Sequence, residues 1–119
     1  MNWFWVNRSA SGTDHDISYP GYAPAGYAVE GPVFAAADVG GVGMHALYNC
    51  QMGANRFVSP SSTCEGQTRV SASPIGYVFT QAAAGRTPIY RCNYAGDHFV
   101  STSATCEVGV SPEGVLGYF

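Results

Sequence analysis

The chain has 119 residues, enough for one domain with one core, and 46% of them are hydrophobic, so it can fold without a partner. Only 11% are charged, the net charge is −3 and all five Lys or Arg positions are arginine, which excludes a lysine Schiff-base mechanism and argues against nucleic acid as a partner. No apolar run approaches the ~18 residues that would insert across a membrane as a helix, and the 15 Gly and 7 Pro point to short strands and tight turns.

The first strand-like run is Trp3-Phe4-Trp5-Val6-Asn7. His15-Asp16-Ile17-Ser18 follows, then a stretch rich in Gly, Pro and Ala, then an apolar run at Pro32-Val33-Phe34-Ala35. Ala35-Ala36-Ala37 reads as a connection. Residues 38–45 read as a Gly-rich loop, with His45 in it or at the start of the next strand. The same order then returns with His45 to Cys50, Arg56 to Ser59 and Ile75 to Thr80, closed by a second connection at Ala82-Ala83-Ala84. It returns once more as Thr87 to Cys92, His98 to Ser101 and Val115 to Phe119.

This is an internal repeat. Residues 46–65 and 88–107 align without a gap, and Tyr48/Tyr90, Cys50/Cys92, Phe57/Phe99, Val58/Val100, Ser59/Ser101, Thr63/Thr105, Cys64/Cys106 and Glu65/Glu107 coincide. A diverged first copy places Arg8 on Arg91, Asp14-His15 on Asp97-His98, Ser18 on Ser101 and Glu30-Gly31 on Glu113-Gly114. The copies run approximately 1–42, 43–84 and 85–119 within a single domain. One unit has too little core to fold alone, whereas three around a pseudo-threefold axis can share a core and close a barrel. The fold expected is therefore all-β, a β-trefoil. A bladed or sandwich arrangement is the rival, but blades of this size normally come in about four or more.

Copies two and three each carry two cysteines at the same spacing, Cys50/Cys64 and Cys92/Cys106, and copy one has Ser9 and Ala23 at those places. Both members are absent together, which is what a bond within a copy would leave. The pairs expected are Cys50–Cys64 and Cys92–Cys106. Each closes a loop worth about 3 kcal/mol in the chain-entropy view. Two such bonds in so small a domain imply an oxidising compartment, so a secreted, periplasmic or cell-surface protein, with secreted or extracellular the location expected. No thiolate has a histidine at ligand spacing, and neither a metal nor a cofactor is expected.

The phrase Tyr90-Arg91, Gly96-Asp97-His98-Phe99-Val100-Ser101-Thr102, closing on Glu113-Gly114 and Gly117-Tyr118, resembles the "GDHFYTT" repeats of secreted bacterial and fungal proteins. The resemblance covers nearly the whole chain and is strongest in copy three. In copy two, Asn55-Arg56 replaces the Asp-His. It implies three repeats, a lectin-like β-trefoil and attachment to hydrolases or cell-wall enzymes. The ricin-type lectin trefoils offer a fold analogy only, because their Gln-x-Trp triplet does not occur here.

The recurring polar set is Arg8, Asp14 and His15 in copy one and Arg91, Asp97 and His98 in copy three. Two roles fit it. In a sugar site, Asp accepts from two hydroxyls, Arg or His donates, and a ring from Tyr90, Tyr94, Trp3 or Trp5 stacks on the pyranose. In a structural brace, Arg and Asp pair across the turn and His caps backbone. Ser18/His15/Asp14 and Ser101/His98/Asp97 contain triad residue types, but each set is packed into one short strand, so no enzymatic activity is expected. The function expected is a secreted carbohydrate-binding module with up to three weak related sites, its partner a glycan or cell-surface polysaccharide. The alternative is a protein-binding trefoil, such as a protease inhibitor acting through the 38–45 loop, or a structural appendage.

Overall fold

The computed structural model describes residues 1–12, 14–19 and 22–119. These residues form ten strands: β1 (Trp3–Ser11), β2 (Asp14–Ser18), β3 (Ala28–Ala37), β4 (Met44–Met52), β5 (Asn55–Ser59), β6 (Thr68–Arg69), β7 (Gly76–Phe79), β8 (Pro88–Tyr94), β9 (Asp97–Ser101) and β10 (Gly114–Tyr118). Among the described residues the only helical piece is a 3₁₀ turn at Cys64–Gly66.

Each copy builds the same unit. A hairpin comes first (β1–β2, β4–β5, β8–β9), and a later strand returns antiparallel to its first member (β3 on β1, β7 on β4, β10 on β8). The hairpin turns follow from residue type. Gly53 at φ 61 opens the two-residue turn between Met52 and Asn55, and Ala95 and Gly96, both at positive φ, fill the turn between Tyr94 and Asp97. Gly76 and Gly117, at matching places in β7 and β10, sit where strands converge. A Cβ on Gly76 would lie 2.7 Å from Ala36 Cβ, and one on Gly117 would lie 2.4 Å from Val78 Cγ2.

Alternation along the strands sends one face of each unit into a common core. Its members come in matched threes: Val6, Leu47 and Ile89 from the first strands; Ile17, Val58 and Val100 from the hairpin partners; Phe34, Ile75 and Leu116 from the returning segments. All nine are 8% exposed or less, so the three copies share one interior. The strands β2, β5 and β9 pack against one another around it.

Two expectations change here. The strands form an open antiparallel sheet whose main path is β2-β1-β3-β7-β10-β8-β9, with β4 branching from β7 and carrying β5 and β6, not a ladder closed into a barrel. The end strands β2 and β9 meet through side chains instead, with Asp97 Oδ1 accepting from the backbone N–H of His15 at 3.1 Å. Ala35-Ala36-Ala37 is the end of β3 and not a connection, because Ala36 and Ala37 are fully buried and only a small side chain fits against Gly76. Ala82-Ala83-Ala84 does lie between β7 and β8, and His45 is the second residue of β4.

The disulfides are Cys50–Cys64 and Cys92–Cys106, with no free cysteine. Each packs with a phenylalanine into a small second cluster outside the main core: Cys50, Phe57 and Cys64 beside Tyr48, and Cys92, Phe99 and Cys106 beside Tyr90. Among the described residues copy one has no such cluster. Asp16 occupies the place of the phenylalanine, and Ser9 bonds Ser18 Oγ at 3.0 Å where the first cysteine would stand.

Candidate functional site

The polar set is assembled between copies rather than within them. Arg8, on β1, reaches into copy three. Its Nη1 and Nη2 hold Glu107 at 2.7 and 3.0 Å, and Nη1 also donates to the Val100 carbonyl at 2.9 Å. Its Nε holds Glu30 at 2.8 Å, in its own copy. Arg91 repeats this toward copy two, with Glu65 at 2.6 and 3.2 Å, the Val58 carbonyl at 3.4 Å, and Glu113 on Nε at 3.1 Å. The planar guanidinium offers paired donors in the fork a carboxylate accepts, which is why arginine recurs there. Among the described residues the Arg8–Asp14 and Arg91–Asp97 pairs of the brace reading do not form. Sequence proximity suggested aspartate, whereas the glutamates come from loops folded back across the neighbouring copy.

Those loops explain the aim. Ser61 and Ser103 hydroxyls accept from the backbone N–H groups of Thr63 and Glu65, and of Thr105 and Glu107. The disulfide then holds Cys64-Glu65 and Cys106-Glu107 at positive φ, a conformation costing about 1–3 kcal/mol per residue without such support. In that conformation Glu65 accepts from Ser59 Oγ at 2.6 Å and Glu107 from Ser101 Oγ at 2.5 Å, each beside the incoming arginine. The Arg8 guanidinium, reinforced by Ser101, depresses the Glu107 carboxyl to a pKa of about 2. Arg91 and Ser59 lower Glu65 in the same direction. Arg8 and Arg91 are raised by the glutamates they hold.

The aspartates and histidines form a second ring of contacts. His15 Nδ1 meets Asp97 Oδ2 at 2.5 Å, so copy one is tied to copy three. Asp14 is 6% exposed and accepts from Tyr27 and from the Arg56 backbone N–H, which ties copy one to copy two. The third link falls on Asn55, which stands where the others have aspartate. Among the described residues, His98 Nδ1 is buried without a partner, and it is the atom that corresponds to His15 Nδ1. His98 Nε2 lies 3.4 Å from Glu113. Asp16 is buried; it takes Asn49 Nδ2 at 3.0 Å and Arg56 Nη1 at 3.3 Å, and desolvation raises its pKa.

Arg8, His15, Asp16, Asn49, Arg56 and His98 border a cavity of about 10 Å3 between the three hairpins, room for about one water molecule. The triad residue types do not assemble, since Ser18 bonds Ser9 while His15 and Asp14 bond other copies. Tyr90 packs on the disulfide cluster of copy three, and Tyr94 is exposed beside the hairpin turn. Trp3 and Trp5 lie on the outer face of β1, against Phe79 and Phe119.

Three grooves open where copies meet, lined by corresponding residues. Between copies one and three the lining includes Arg8, Glu30, Pro32, Thr102 and Glu107. Between copies three and two it includes Arg91, Glu65, Pro60 and Val115. Between copies two and one it is Asn49, Tyr19, Tyr22, Pro24, Ser71 and Ser73, among others. Sequence reasoning missed this third groove, because Asn49, Tyr19 and Pro24 are the positions where the repeat is broken. Comparison of the chain with protein-family models, with characterised proteins and with solved structures finds no match.

Proposed function

We propose that the chain is a secreted carbohydrate-binding module of the β-trefoil type, with sugar sites at the junctions between its copies. One observation carries this reading. Three surface grooves of about 230, 230 and 270 Å3 recur at the three junctions, each rimmed by groups that exchange hydrogen bonds with hydroxyls. In the first two, Arg8 and Arg91 present charged donors, and their glutamates keep oxygen lone pairs facing solvent. His98 lines a further recess beside Arg91 with Glu113 and Gln67. Asp14 and Asp97 serve behind these groups by fixing the hairpins that carry them, and Tyr94 is the exposed ring nearest the copy-three hairpin.

The trefoil reading is supported by the matched core triplets and by the mutual packing of β2, β5 and β9. Secretion is supported by two disulfides and the absence of a free thiol. Several weak sites on one small domain gain by avidity on a polymer or a glycan-coated surface. The test is a glycan array at high density, probed with the intact oxidised protein. Retention of a glycan class, competed by the same glycan in solution, is the expected result. Absence of retention across neutral and acidic glycans overturns the proposal.

A further inference from the structure

The three junctions are not chemically equal. At two of them a glutamate from one copy closes on an arginine of the next. At the third, between copies two and one, both partners are replaced: Asn49 stands in the arginine position and Pro24 in the glutamate position. Losing one partner alone would leave an uncompensated charge in a half-buried place. Losing both removes the lock and leaves space. That space is a pocket of about 270 Å3 with no charged side chain among the described residues that line it.

Its contents point to a ligand. Tyr19 and Tyr22 are 44% and 74% exposed, a large apolar area to leave in water on a small domain. Tyr19 is fixed, its hydroxyl donating to the Ile75 carbonyl at 3.1 Å and its ring lying 5.8 Å from that of Phe4. Opposite, Ser71 and Ser73 bring hydroxyls that both donate and accept. Asn49 lines the same pocket. Its Nδ2 is held by Asp16, and its Oδ1 is buried without a hydrogen-bond partner among the described residues. Asn49 also lines the one-water cavity beside Asp16, so what it brings to this pocket is the absence of charge at the arginine position.

We infer that the copy-two/copy-one junction is the principal ligand site, and that it takes a single uncharged pyranose, one C–H face against the tyrosine rings and its hydroxyls or an acetamido N–H turned toward Ser71 and Ser73. This rests on the carbohydrate reading of the junctions and narrows it from three related sites to one. An ionised sugar is disfavoured because the pocket offers no counter-charge to offset its desolvation. The volume lies just below the usual range for drug-sized ligands and suits one ring rather than an oligosaccharide.

The test is titration of the intact oxidised protein with methyl β-D-glucopyranoside, methyl β-D-galactopyranoside and N-acetyl-D-glucosamine, followed by amide chemical shifts. N-acetylneuraminic acid is the charged comparison. At least one neutral sugar is expected to shift Tyr19, Tyr22, Ser71 and Ser73 at one site per chain, while the acid leaves them unmoved. Tyr22→Ala is expected to weaken binding about tenfold, a change of the size a ring contact supplies. Its melting temperature should not change, since that ring is mostly solvated, and Tyr22→Phe should restore affinity because only the ring face is used. Shifts that gather instead at Arg8 or Arg91, or Tyr22→Ala binding as tightly as the parent, overturn the single-site inference and leave the carbohydrate reading standing. Glycan retention on the array with no response in this pocket does the same. No response to any sugar, together with a blank array, removes both.

Discussion

Copy one and copy three carry the same polar signature, Arg, Asp, His and Glu, yet they are held in place differently. In copy three a disulfide and Phe99 form a private cluster outside the main core, and the disulfide fixes the turn that presents Glu107. Copy one has neither. It is secured by what the others offer it: Glu107 and Val100 on Arg8, Asp97 on His15, Asn49 and Arg56 on Asp16. A repeat without its own staple can be held by its neighbours, and Tyr19, Tyr22 and Pro24 are where copy one departs from the other two.

The largest break in this comparison comes from the staple. Replacing Cys92 and Cys106 together by alanine should destabilise the chain by about 3 kcal/mol from lost loop closure alone. The observed loss should exceed that, because Glu107 then leaves its positive-φ turn and releases Arg8 in copy one. Denaturant unfolding of Cys92→Ala/Cys106→Ala, with and without Arg8→Ala, measures the coupling. Strictly additive losses would show that the turn does not depend on the disulfide.

Next come the junction residues themselves. Arg8→Ala and Arg91→Ala should each cost about 2–4 kcal/mol, discounted from a fully buried pair because the glutamates are nearly half exposed. Asn49→Ala should cost less, about 1.5 kcal/mol, the low end for one hydrogen bond to a charged group, because Asp16 keeps Arg56 as its partner. Equal losses at all three positions, in urea titrations, would refute the distinction between locked and open junctions.

The acid limb of stability sharpens the same point. Glu107 is depressed to about 2 from an ordinary 4.5. A carboxyl lowered on folding contributes stability that is complete above its unfolded value and lost as pH falls through its folded one. Stability should therefore decline between about pH 4.5 and pH 2, with Glu65 acting in the same sense. Asp16 opposes weakly, since burial raises its pKa and protonation relieves it. Glu107→Gln should flatten the decline while lowering stability at neutral pH. An unaltered acid limb would place the responsible carboxyl elsewhere.

The smallest effect tests the missing third link. Asn55→Asp gives copy two the carboxylate that Asp14 and Asp97 supply in the other copies, within the hairpin next to His98. A gain of about 0.5–1 kcal/mol is expected, the worth of one hydrogen bond to the unpartnered His98 Nδ1. Thermal melts decide it, and a lowered melting temperature would mean that His98 Nδ1 is not the atom this position serves.

Much of this was written in the order of residues. The three-copy plan, the strand runs and the disulfide partners follow from local pattern: alternation sets which face is buried, and two cysteines lost together in Ser9 and Ala23 reveal that they belonged to each other. The cross-copy partners did not follow. Arg8 lies six positions from Asp14 and 99 from Glu107, yet it binds the glutamate, because the turn at Cys106 carries that carboxylate across the junction. Nor could Ala35-Ala36-Ala37 be read as strand, since its small side chains matter only against Gly76 in another copy. The sequence by itself determined which segments repeat and which side of each faces inward, because those depend on neighbours one or two residues away. Only the tertiary structure decided which charges meet and which junction stays open, because a pairing between copies depends on how three turns converge, and no spacing along the chain encodes that.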